Sequence, residues 1–143
     1  MAFLLDLNVL IARMDPRHEH HTRAKRWLDA RPGMDLVTCP LTENGFLRIY
    51  GHPSYPKGPG SPEAALEELR VIRGMTCHRF LGDTVSIDDP GVFHSLAGIG
   101  PKQITDVYLL GLAAKHRIFF ATFDAGVPAD RVVGGNAALC PIP

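Results

Sequence analysis

Apolar and polar positions along this chain follow two periods in turn, and the switch between them recurs from one end to the other. Ala2-Phe3-Leu4-Leu5 is a continuous apolar run of strand length, read as a buried strand over residues 2 to 6, with a short helix over residues 8 to 13. Asp15-Pro16 pairs a capping residue with proline at the first helical position, predicting a helix in which Ala24, Trp27 and Leu28 recur before Pro32-Gly33. Leu36 to Cys39 reads as a second strand. Pro40 then opens a helix with Leu41, Phe46, Leu47 and Ile49 on its apolar side, ending near Gly51.

Gly51 to Gly60 holds three prolines and three glycines, too many for regular structure, so a loop is expected there. Ser61-Pro62-Glu63 restarts a helix with the stripe Ala65, Leu66, Leu69 and Ile72, and a third strand follows around Cys77 to Leu81. Residues 82 to 103 lack a clear period, with Pro90-Gly91 and Gly98-Ile99-Gly100-Pro101 bracketing room for one short helix. Thr105 is a good N-cap for a helix from Asp106 to about His116, ahead of a fourth strand over residues 118 to 122 and a fifth near 138 to 142. Strands alternating with helices predict an α/β domain with a mostly parallel sheet of about five strands between helical layers.

With 143 residues and 45% of them hydrophobic, one domain with a full core is expected over residues 1–143. Acids and bases balance at a net charge of zero, so any contact with nucleic acid must come from local basic groups. The three cysteines, Cys39, Cys77 and Cys140, lack zinc-like or disulfide-framework spacing, which points to a reducing, cytoplasmic setting. The apolar N-terminal stretch has no basic leader and is broken by Asp6 and Asn8, so neither export nor a membrane location is expected.

Candidate chemistry lies where charge meets these apolar elements. Asp6 and Asp124 follow strands, Glu43 sits in the first turns of the helix after strand two, and Asp106 begins a later helix. A parallel sheet puts strand carboxyl ends and the following helix N-termini on one edge, where these four acids could converge. Clustered carboxylates repel unless a cation joins them, and a hard Mg²⁺ or Mn²⁺ suits an oxygen-ligand set. Each acid also has a plain structural reading, as a first-turn or turn-forming residue.

Four stretches carry a family resemblance: Leu5-Asp6-Leu7-Asn8-Val9-Leu10-Ile11, Cys39-Pro40-Leu41-Thr42-Glu43-Asn44-Gly45-Phe46-Leu47-Arg48, Ile104-Thr105-Asp106-Val107-Tyr108-Leu109-Leu110 with Ala113, and Ala121-Thr122-Phe123-Asp124. In this order and spacing the chain resembles the PIN-domain ribonucleases, and among them the VapC-type toxins of VapBC toxin–antitoxin pairs. The resemblance implies a PIN-like fold and metal-dependent RNA endonucleolysis leaving a 5′-phosphate and a 3′-hydroxyl. By the same resemblance Asp6 and Asp106 lie nearest the metal, Glu43 and Asp124 add direct or water-mediated contacts, and Asn8 and Thr122 orient them. It also implies a VapB-type antitoxin, an RNA substrate and a homodimer. Leu7 stands where relatives often carry Thr or Ser.

Three histidines and one loop offer further candidates. His18, His20 and His21 suggest zinc, with His18 and His21 three apart on one helix face, but no third ligand is fixed by spacing and a solvated or packing role is the simpler reading. In the Gly51 to Gly60 loop, Tyr55 offers a stacking face and Lys57 a phosphate contact for single-stranded RNA, against the alternative of a plain connector. Two other functions stay open. A haloacid-dehalogenase-type phosphatase also places an acid after its first strand, although it uses a second Asp where this chain has Asn8; a non-catalytic RNA-binding or interaction module is the other.

Overall fold

A computed structural model describes residues 1–143. In chain order the elements are β1 (Ala2–Leu5), α1 (Leu7–Met14), α2 (His21–Asp29), β2 (Asp35–Thr38), α3 (Pro40–Ile49), α4 (Pro62–Arg73), β3 (His78–Phe80), α5 (Ile104–Lys115), β4 (Phe119–Thr122), a 3₁₀ turn at Ala129–Arg131, α6 (Gly135–Ala138) and β5 (Leu139–Pro141). The five strands form one sheet in the order β3-β2-β1-β4-β5, and every pairing is parallel.

Alternation along the strands divides the interior in two. Ala2 and Leu4 of β1 join Val37, Phe120 and the α5 residues Val107, Leu110 and Ala113 on one face. Phe3 and Leu5 join Leu10 of α1, Trp27 of α2, Phe46 of α3 and Leu69 of α4 on the other. The central strands β2, β1 and β4 are therefore buried on both sides, as a parallel sheet between helical layers requires. α1 and α3 approach closely where Leu7 lies against Gly45, since a Cβ on Gly45 would stand 2.8 Å from Leu7 Cδ2.

Two predicted helix starts move. Asp15 does not open a helix: its N–H closes α1 on the Ile11 carbonyl, while its side chain accepts the N–H of Arg17 two residues on, forming a turn. α2 begins only at His21, so His18 lies in the turn and does not share a helix face with His21. The other start moves the opposite way. A turn over Gly100–Gln103 lets the Gln103 carbonyl accept the Val107 N–H, so α5 starts at Ile104 and Thr105 is its second residue, not its cap.

No helix forms within residues 82 to 103. That segment is ordered by tertiary contact instead: Phe93 bridges Val132 antiparallel, and Val92 and Phe93 pack onto α5 at Gly111. A Cβ at Gly111 would come within 2.4 Å of the Phe93 ring and 3.0 Å of Val92 Cγ1. Overpacking of that kind costs ~1–3 kcal/mol against a helix-propensity gain of about 1 kcal/mol. Gly111→Ala is therefore expected to lower the melting temperature by several degrees, and a thermal melt at or above wild type would refute this packing account.

Candidate functional site

The strand order β3-β2-β1-β4-β5 changes direction between β1 and β4, because the chain builds outward from β1 to β3 and then returns through α5 to the far side of β1. A crevice outside the strand carboxyl ends at such a switch point is where open α/β sheets bind ligands. Asp6 follows β1 directly, and Thr122 ends β4 beside it. The Asp6 N–H donates to the Ala121 carbonyl at 2.9 Å, carrying the strand pairing to the site itself.

Asp6 is nearly enclosed, 7% exposed, yet both its oxygens are engaged. Oδ1 accepts the Leu7 N–H at 2.7 Å, which caps α1, and Oδ2 accepts the Thr122 hydroxyl at 2.8 Å. Thr122 Oγ1 in turn accepts the Asp124 N–H at 3.1 Å, so one hydroxyl ties the two acids into a single arrangement. Each Asp6 oxygen still has a second lone pair to offer.

Asp106, in the first turn of α5, faces this pair across a cavity of ≈ 420 Å³ that Asp6, Asn8, Asp124 and Thr122 also line. Burial pushes the Asp106 carboxyl up to about 7, helped by the charges of Asp6 and then Asp124, and no donor offsets them. Burial likewise raises Asp6, although its hydrogen bonds from Thr122 and Leu7 oppose the rise. Two carboxyls raised by burial, with the Asp124 charge beside them, form a site where a cation is favourable. No three His, Cys, Asp or Glu side chains stand in a ready-made ligand set.

Glu43 is not brought into this cavity. Its Oε2 accepts the Thr38 hydroxyl at 2.6 Å and pairs with Arg73 of α4, on the β3 side of the sheet. The expected convergence of four acids is thus a convergence of three. Asn8 is exposed on the cavity wall. Tyr55 and Lys57 line a separate cavity of ≈ 370 Å³ with Asp15, Arg17, His18 and Pro56. The Tyr55 ring stands edge-on to Tyr50 at 5.0 Å and its hydroxyl donates to Asp15 at 2.6 Å, so it is a packed, hydrogen-bonded group and not an open stacking face.

His18, Glu19, His20 and Phe123 complete the acidic cavity. The His20 ring lies 4.8 Å from Phe123, and Arg23 covers that same Phe123 ring at 4.8 Å. His21 points back to α1, its Nδ1 2.7 Å from the Ala12 carbonyl. The signal that could have found His18 and His20 is their position shortly after the helix that Asp6 caps, on the link that must pass the strand ends.

No protein-family model matches the chain. Ribonuclease VapC44 of Mycobacterium tuberculosis is 39% identical over 136 residues, covering 95% of each protein. The chain belongs to the VapC ribonuclease family. Among solved structures, M. tuberculosis VapC20, a sarcin–ricin loop cleaving toxin, superposes with a TM-score of 0.64 at 16% identity, covering 92% of this chain and 96% of that one. Rickettsia felis VapBC2 bound to a DNA fragment from its promoter gives 0.58 at 12% identity, covering 90% and 94%. At these identities the structural neighbours establish the shared VapC fold, the PIN-like parallel sheet described above. A VapC relationship over nearly the full chain leaves no room for a phosphatase of the haloacid-dehalogenase type.

Proposed function

We propose that residues 1–143 form one PIN-like domain acting as a metal-dependent endoribonuclease, the toxin of a type II toxin–antitoxin pair. The single observation that carries this reading is the coupled acid group Asp6, Asp106 and Asp124 at the switch point of a VapC-family sheet. Asp6 and Asp106 would contact Mg²⁺ or Mn²⁺, with Asp124 and Glu43 acting at longer range. When bound, such a cation activates water and neutralises charge developing on a phosphodiester.

The chain's own residues prepare the site. Leu7 N–H and the Thr122 hydroxyl hold the Asp6 carboxylate in one rotamer, and Asn8 offers an amide beside it. His18 Nδ1 accepts the His20 N–H at 3.0 Å, which leaves its Nε2 as the donor toward a phosphate oxygen. Phe123, flanked by His20 and Arg23, forms the apolar part of the wall.

Thr122→Val keeps the shape and removes the hydroxyl. Loss of a group that orients a ligand typically costs about 10–100-fold in metal affinity or activity, and that range is expected here. It is checked by Mn²⁺ titration of the variant; wild-type affinity would remove Thr122 from the orienting role.

The activity itself is tested by incubating the purified protein with cellular RNA, with Mn²⁺ or with chelator, and sequencing the new 5′ ends. Cleavage at defined sites that chelation abolishes supports the reading; intact RNA in both conditions refutes it. The partner assigned is a VapB-type antitoxin, for which VapBC2 is the precedent. The acidic cavity would take a partner's Arg as it takes a cation. A cytosolic setting agrees with three unpaired cysteines, and no helix is long and apolar enough to cross a membrane.

A further inference from the structure

Beside the acidic cavity lies a second one that the mechanism above does not use, and His18 belongs to the walls of both. Two segments distant in sequence build it: the turn after α1, which carries Arg17, and the proline-rich loop, which carries Lys57. Both cations are exposed, and neither enters an ion pair.

One buried carboxylate holds the two segments together. Asp15 is 5% exposed; its Oδ1 accepts the Arg17 N–H at 2.9 Å and its Oδ2 accepts the Tyr55 hydroxyl at 2.6 Å. The loop is tight behind Tyr55: a Cβ on Gly58 would stand 2.8 Å from the Tyr55 ring and 3.2 Å from the Tyr50 carbonyl. Lys57, between Pro56 and Gly58, sits at φ 53°, a left-handed conformation uncommon for a residue with a side chain. Such a conformation persists where its surroundings over-determine it, and it is met at ligand clamps.

From this arrangement we infer that Arg17 and Lys57 form a phosphate-binding subsite for the RNA backbone, one step along the strand from the acid centre, and that the Asp15–Tyr55 hydrogen bond positions them. The inference rests on the endoribonuclease reading. Acids at one cavity and free cations at the next, with a histidine shared between them, match a polyanion whose scissile group lies at the acids and whose neighbouring phosphate needs charge of the opposite sign. Tyr55 and Asp15 are positioning residues and touch no RNA; Arg17 and Lys57 are the contacts.

The test measures binding of a fluorescent single-stranded RNA to the full chain by anisotropy, in chelator so that no cleavage occurs, across a range of salt concentrations. Arg17→Ala with Lys57→Ala is expected to weaken binding by about 10–100-fold and to flatten the slope of log K against log[salt] by roughly 1.4, two phosphate contacts' worth. Arg70→Ala with Lys115→Ala removes the same charge away from both cavities and is expected to shift affinity by less than about 3-fold. Equal effects of the two pairs, or none, overturn the subsite.

Asp15→Ala separates positioning from charge. Removing a carboxylate beside the cations should tighten RNA by electrostatics alone, whereas loss of positioning weakens it; tighter binding overturns the positioning role. Tyr55→Phe, which keeps every charge and the aromatic packing, is expected to weaken binding by about 3–10-fold with the salt slope unchanged; wild-type affinity there counts against it equally. Cleavage of the same RNA by wild type with Mn²⁺ keeps the two levels apart. Cleavage with a wild-type-like Arg17/Lys57 pair variant sinks the subsite alone, and a wild type that neither binds nor cleaves RNA sinks the endoribonuclease reading with it.

Discussion

Replacing Asp6 or Asp106 by asparagine is expected to reduce RNA cleavage by about 10³-fold or more while leaving the circular dichroism spectrum unchanged. Both substitutions preserve shape, and the Asp6 site already provides donors, from Leu7 and Thr122, that the asparagine carbonyl oxygen can accept in part. What is lost is negative charge at the cavity, and with it the hold on a divalent cation whose charge stabilisation is worth several kcal/mol in a phosphodiester reaction. Asp124→Asn and Glu43→Gln should cost less, Asp124 because it is exposed and Glu43 because Arg73 and Thr38 already engage it. The measurement is the initial rate on one RNA with saturating Mn²⁺. A rate within 10-fold of wild type for either Asp6→Asn or Asp106→Asn would take that residue out of the site.

The parts of this site legible in the amino-acid sequence are those set by local pattern. A four-residue apolar run followed by Asp defines β1 and its end, and Cys39-Pro40 marks the start of α3, because strand burial and helix entry depend on near neighbours. Where the partner lies far along the chain, the same signals mislead. Asp15-Pro16 has the composition of a helix start, but Asp15 is used by Arg17 and by Tyr55, 40 residues away, and that tertiary bond selects a turn. Glu43 has the position of a site acid and stays at the strand carboxyl ends beside Thr38, yet Arg73, 30 residues on, pairs with it toward β3, outside the acidic cavity. Residues 82 to 103 show no period because contacts with α5 and Val132 order them, and such contacts leave no periodic trace. His18 and His20 are visible in the sequence as residues but not as cavity walls, since only the path of the link between α1 and α2 brings them to Asp106.

The metal-free protein should lose stability as pH rises from about 4 to about 7, and Asp106→Asn should remove much of that loss. In the folded chain burial and the charges of Asp6 and Asp124 raise the Asp106 carboxyl to about 7, whereas an unfolded chain releases that proton near ~3.9. Between these values the folded state binds more protons than the unfolded one, so unfolding becomes easier as pH increases: the contribution is complete below the lower value and gone above the upper. An undiscounted shift of this size would be worth ~4 kcal/mol, but Asp106 is only partly buried and solvent screens it, so roughly 1–2 kcal/mol is expected. That is about 3–8 °C in melting temperature for a domain of this size. Titrating groups away from the cavity, including His78, whose burial lowers it, are common to both proteins and cancel in the difference between wild type and variant, so the difference reports the acid cluster. The check is a pair of melting curves in chelator at pH 5 and pH 8, repeated at pH 8 with Mn²⁺. Wild type should melt lower at pH 8 than at pH 5 relative to Asp106→Asn, and Mn²⁺ should restore wild type far more than the variant, because a ligand that binds only the folded state stabilises it in proportion to its affinity. A difference between the two proteins that does not change with pH would mean that Asp106 ionises freely and that the acids do not act as one charge cluster.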